Sequence, residues 1–92
     1  MSPKELSDAR SRLARIADRL RRFGHNERTK CAVSIKAIEG HLVVLQADKA
    51  LVGLLSAAFT AVDMGRMAEA KEFIEQAIAF ADAALAAGEK AE

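Results

Sequence analysis

The sequence predicts an all-α protein of one domain, either a three-helix bundle with a long kinked second helix or a four-helix antiparallel bundle. Three observations predict it. Twenty of the 92 residues are alanine, while tryptophan and tyrosine are absent and only four phenylalanines occur. Small side chains favour closely packed helices, whereas sheets draw on β-branched and aromatic residues. One proline and five glycines leave long stretches without a breaker. Within those stretches apolar residues recur at spacings of three and four, the period of a helix face. A chain of this length closes one hydrophobic core and cannot support two. With 51% hydrophobic and 29% charged residues, a disordered chain is excluded.

The first helix is expected over residues 3–23. Ser2 is its N-cap, Pro3 occupies the first helical position where a missing N–H costs nothing, and Glu5 completes a capping box. Leu6, Ala9, Leu13, Ile16, Leu20 and Phe23 follow at alternating spacings of three and four, a heptad seam. Asp8 with Arg12 and Asp18 with Arg22 form i, i+4 pairs, each contributing about 0.2–0.5 kcal/mol. Gly24 supplies the left-handed residue that stops the helix.

The second helix is expected over residues 27–63, with no strong stop before Gly65. One seam is Ile35, Ile38, Leu42 and Leu45; a second, offset seam is Leu51, Leu54, Leu55, Ala58 and Val62. Gln46, Ala47, Asp48 and Lys49 separate them, and this polar stretch is where a kink or turn would fall, with Asp48 as a new cap. A continuous or kinked helix is preferred because the stretch contains no glycine or proline to build a turn. Unbroken, it would measure about 57 Å and imply an elongated dimer. The last helix is expected over 66–87, stopping at Gly88, with Ala70, Phe73, Ile74, Ala77, Ile78, Ala81 and Leu85 on its apolar side. The tail 89–92 is expected to fray.

Residues 51–82 contain Leu54, Ala58, Gly65, Ala70 and Ala77, a large apolar residue and small residues placed around a glycine-centred turn. In this they resemble a single tetratricopeptide-type helical pair. The alanines allow the two helices to approach closely. Asp82 stands where that family usually has proline, and no second copy occurs at the repeat spacing. The resemblance implies a peptide- or protein-binding groove and carries no catalytic residues.

Chemistry-bearing residues are few. Cys31 lies near a helix start, where the dipole lowers a thiol pKa, but beside Ala32 and Val33 it reads better as a small core residue. His25 reads as a turn residue, and His41 is a lone imidazole ten residues from Cys31, so no zinc set forms. No HExxH, CxxC, GxGxxG or phosphate-loop pattern occurs. No enzyme, cofactor or metal is expected. A single cysteine and the lack of an apolar run behind a basic start point to the cytoplasm. The most apolar stretch, 42–62, carries Asp48 and Lys49, so no membrane span is expected.

The net charge of +1 conceals a division. Residues 1–30 hold nine basic against four acidic side chains, and the remainder five against nine. Arg12, Arg15, Arg19 and Arg22 recur along one side of the first helix. Such a stripe can meet a phosphate backbone, remain solvated, or meet carboxylates such as Glu69, Glu72, Glu75 and Asp82 of the last helix. The absence of tyrosine and tryptophan for base stacking counts against nucleic acid.

The apolar seams exceed what three helices bury among themselves. The expected function is therefore a small helical protein-interaction module, an adaptor, chaperone or inhibitor of a larger partner that also forms a homodimer or higher homo-oligomer. Its candidate contacts are the apolar Leu13, Ile16, Leu20, Phe23, Phe73 and Phe80 and the four arginines, with Met64 and Met67 as an adaptable edge. A nucleic-acid-associated protein using the arginine stripe is the alternative.

Overall fold

A computed structural model describes residues 2–91, with side chains through residue 88. The chain is all-helical among the described residues. Its order is α1 (Pro3–Phe23), a short 3-10 turn (Gly24–Glu27), α2 (Arg28–Val44), α3 (Lys49–Asp63) and α4 (Met67–Ala91).

Helix α1 begins as the capping box requires. The Ser2 hydroxyl accepts from the Glu5 amide at 3.2 Å, and the Ser2 amide donates to Glu5 Oε1 at 2.9 Å. Gly24, at φ 51°, ends it and donates its N–H to the Leu20 carbonyl.

The helix expected over 27–63 is interrupted between Val44 and Lys49. Gln46 takes the left-handed conformation at φ 58°. The Ala47 amide then reaches the Leu42 carbonyl at 2.9 Å and the Gln46 amide reaches Val43 at 3.0 Å, the paired bonds of a Schellman cap. Asp48 caps the next helix, its Oδ1 accepting from the Ala50 amide at 2.8 Å. The turn thus needs no glycine, because the cap bonds and the part-buried Ala47 offset the steric cost at Gln46. The same bond pair recurs at the end of α3, where Gly65 at φ 78° takes the left-handed place. Helix α4 passes through the stop expected at Gly88 and continues to Ala91, the last described residue, since glycine permits a helical end without enforcing one. Of the tail expected to fray, Glu92 and the side chains of 89–91 lie outside the described residues.

Helices α2 and α3 run antiparallel, the start of α2 meeting the end of α3 through Arg28, and so do α1 and α4, with Arg10 on Asp82 and Arg21 near Lys71. Helix α4 packs extensively on both α1 and α3, α3 packs on α2, and the α1–α2 seam is the thinnest. The core takes Ala9, Leu13, Ile16 and Leu20 from α1, and Cys31, Ile35, Ile38 and Leu42 from α2. From α3 it takes Leu51, Leu55, Ala58, Ala61 and Val62, and from α4 Ala70, Ile74, Ala77 and Ala81. No polar or charged side chain is buried among the described residues. Arg28 ties the start of α2 to the end of α3: its Nε donates to the Val62 carbonyl at 2.8 Å and its Nη2 to Asp63. A guanidinium there meets carbonyls of the last turn and the negative end of the α3 dipole. The radius of gyration is 12.7 Å, near the roughly 12 Å of a compact chain of this length.

Candidate functional site

Helix α2 differs from its neighbours in having two apolar faces. The inner one is Cys31, Ile35, Ile38 and Leu42, all buried. A second set, Val33, Ala37, Gly40 and Val44, repeats the same spacing two residues later, about 200° round the helix. It points outward: Val33 is 65% and Val44 79% exposed. Apolar residues therefore occupy two opposite faces of α2, parted by Lys30, Ser34 and His41 on one flank and by Lys36 and Glu39 on the other, whereas α1 is strongly one-sided. A surface helix ordinarily has one apolar face turned to the core, yet here a second apolar face has no cover within the chain.

Two grooves flank this ridge. On the α1 side, Arg12, Arg15, Ile16 and Arg19 face Val33, Ser34, Ala37 and Ile38 across a groove of about 310 Å³. On the α3 side, Phe59 and Asp63 face Thr29, Ala32 and Lys36 across one of about 580 Å³, and Val33 and Ala37 belong to both. Lys36 Nζ lies 5.2 Å from the centre of the Phe59 ring and 3.5 Å from Glu39. The thin α1–α2 seam thus opens as a groove with an apolar floor and a basic rim.

The arginine stripe divides. Arg12, Arg15 and Arg19 line the groove, while Arg22 lies at 3.2 Å from Asp18, which Arg21 also holds at 2.6 Å. Arg19 is 3.8 Å from Glu27. Among the described residues Arg12 and Arg15 form no ion pair, so of the two i, i+4 pairs expected on α1 only Asp18 with Arg22 forms, and Asp8 with Arg12 does not. The stripe does not meet the acidic side of the last helix, because it faces α2 and not α4. Asp82 pairs instead with Arg10 at 2.9 Å, Glu69 with Arg66 at 3.7 Å and Glu75 with Lys71 at 3.1 Å.

Of the apolar candidates, Leu13, Ile16 and Leu20 lie in the chain's own core, and of these only Ile16 borders the α1/α2 groove, at its floor. Phe23 is 46% exposed at the end of α1. Phe73 and Phe80 are part-buried against the core on α4, away from the α2 ridge. Met64 is exposed and Met67 part-buried. The second apolar face of α2 is what the sequence reading passed over. The 33, 37, 40, 44 spacing was its signal, masked by the inner seam that overlaps it two residues earlier, at 31, 35, 38 and 42.

Burial pushes the Cys31 thiol pKa up, and the nearby Glu27 charge pushes it further against the opposing pull of Arg19. The thiol therefore stays protonated at neutral pH, without the depressed pKa of a nucleophile. His25 and His41 are exposed, and no three metal-ligating side chains gather among the described residues. No helix among them is long and apolar enough to cross a membrane. No family model, curated protein or solved structure matches the chain.

Proposed function

We propose that this chain is a small helical protein-interaction module, an adaptor, chaperone or inhibitor of a larger partner, with the outer face of α2 as its docking surface. The observation that carries this reading is the second, uncovered apolar face of α2, Val33 to Val44, beside the thinnest seam of the bundle. The resemblance of residues 51–82 to a tetratricopeptide-type pair supports it secondarily: Ala58, Ala70 and Ala77 are fully buried, as close approach of paired helices requires.

Self-association belongs to the same reading. Two copies meeting on α2 bury the valines but bring like-charged arginines near one another, so pairing is weak and strengthens as salt screens the charges. Light scattering from low to high micromolar concentration tests it. The expected result is a mass that rises with concentration and more steeply at high salt. Val33→Asp together with Val44→Asp abolishes the rise without changing the thermal midpoint. A strictly monomeric mass at high micromolar concentration under both conditions removes self-association.

The groove lined by Arg12, Arg15 and Arg19 is the observation favouring a nucleic-acid role instead. That reading requires salt-sensitive retention on duplex DNA that weakens when Arg15 and Arg19 are neutralised. No retention at low salt ends it.

A further inference from the structure

We infer that the α1/α2 groove and the outer ridge of α2 that borders it receive an acidic amphipathic helix from a protein partner, its apolar side on Val33, Ala37 and Val44 and its carboxylates on Arg12 and Arg15. This rests on the interaction-module reading and gives the partner its chemistry.

The shape of the surface selects a helix. The outer stripe of α2 spans twelve residues from Val33 to Val44, about 16 Å, or three turns of a second helix laid alongside. Ala37 and Gly40 stand at its middle, and a Cβ built on Gly40 meets nothing within 4 Å. Two helix axes can therefore close to about 8 Å there, the short end of helix packing. The valines at either end supply the apolar anchors.

Charge selects an acidic partner. Arg12 and Arg15, one turn apart on α1, project to the rim of the groove and form no ion pair among the described residues. Arg19 adds a third cation, shared with Glu27 at 3.8 Å. The carboxylates on this flank of α1 are Glu5, held in the N-terminal cap, and the exposed Asp8. A partner helix with glutamates three or four residues apart would place them on Arg12 and Arg15 while its apolar stripe lay on α2. The same cations weaken pairing with a second copy, which brings arginine towards arginine. Duplex nucleic acid would satisfy the cations but leave Val33 and Val44 without an apolar counterpart.

The probe is a fluorescein-labelled, hydrocarbon-stapled peptide of about 18 residues with leucines along one side and glutamates flanking them. Three controls accompany it: the leucines replaced by glutamine, the glutamates replaced by lysine, and a labelled duplex DNA. Anisotropy against the full chain is expected to show the acidic, leucine-bearing peptide binding at least about tenfold more tightly than either peptide control, and weakening with salt. Arg12→Gln with Arg15→Gln, and separately Val33→Asp, each lower its affinity by about tenfold; Arg21→Gln leaves it unchanged. Circular dichroism confirms that each variant stays helical with an unaltered thermal midpoint. Equal binding of the leucine-free peptide reduces the groove to a diffuse cationic patch and overturns the inference. Tighter binding of DNA than of any peptide overturns it in favour of nucleic acid. If no peptide binds while concentration-dependent association persists, the acidic-helix inference falls and the interaction-module reading stands.

Discussion

Cys31 illustrates how much a single side chain owes to its surroundings. Its position near a helix start would favour the thiolate, but at 1% exposure the cost of desolvating a charge outweighs the dipole and the thiol pKa rises above its ordinary value of 9.0. In the unfolded chain the thiol ionises first. Its contribution to stability is therefore complete below pH 9 and is lost as the pH climbs through the raised folded-state value. Urea midpoints measured from pH 7 to 10.5 should fall at the alkaline end more steeply for the natural chain than for Cys31→Ala. Parallel curves for the two would contradict the burial argument. The alanines make a complementary point. Ala58, Ala70, Ala77 and Ala81 are wholly buried between helices, and their smallness was legible in the sequence because alanine at helical spacing has few other uses.

At the scale of the element, the two Schellman ends separate what a sequence discloses from what it conceals. Gly65 advertises its turn, since glycine adopts φ 78° without steric cost. Gln46 makes the same turn at φ 58° with a side chain that disfavours it. What forces it is the packing of α2 and α3 as antiparallel neighbours, pinned by Arg28 on the carbonyls of Val62 and Asp63, 34 and 35 residues away. Gln46→Gly should therefore raise stability by about 0.5–1 kcal/mol, the relief at a left-handed site exceeding the glycine's extra unfolded-state entropy. Chemical denaturation reads this directly, and a loss of stability would show that the Gln46 side chain contributes more than its backbone costs. Helix α2 teaches the opposite lesson. Its inner seam was readable, yet the outer one, at the same spacing two residues later, gained meaning only once the inner one was seen to be occupied.

For the molecule as a whole, stability resides in apolar seams and not in the ion pairs that ornament them. Arg10 and Asp82 join α1 to α4 through two hydrogen bonds at 2.9 and 3.5 Å, but their side chains are 40% and 52% exposed. A double-mutant cycle with Arg10→Ala and Asp82→Ala should give a coupling below about 1 kcal/mol. A value of several kcal/mol would make this pair a determinant of the fold. The division of charge between the first third of the chain and the rest survives folding, because the arginine stripe and the acidic side of α4 do not neutralise each other. One faces the α1/α2 groove; the other is paired by Arg66, Lys71 and Arg10.

The sequence by itself determined the helical class, the single core, the capping box at Ser2, the stop at Gly24 and the turn at Gly65. Each follows from local propensity or from a short-range pattern within one or two turns of helix. Only the tertiary structure decided that the chain turns at Gln46, that Leu13, Ile16 and Leu20 are consumed internally, and that Val33, Ala37, Gly40 and Val44 are left facing outward. Those outcomes depend on which seams find partners across the bundle, and one residue's apolar character is the same whether or not another helix covers it.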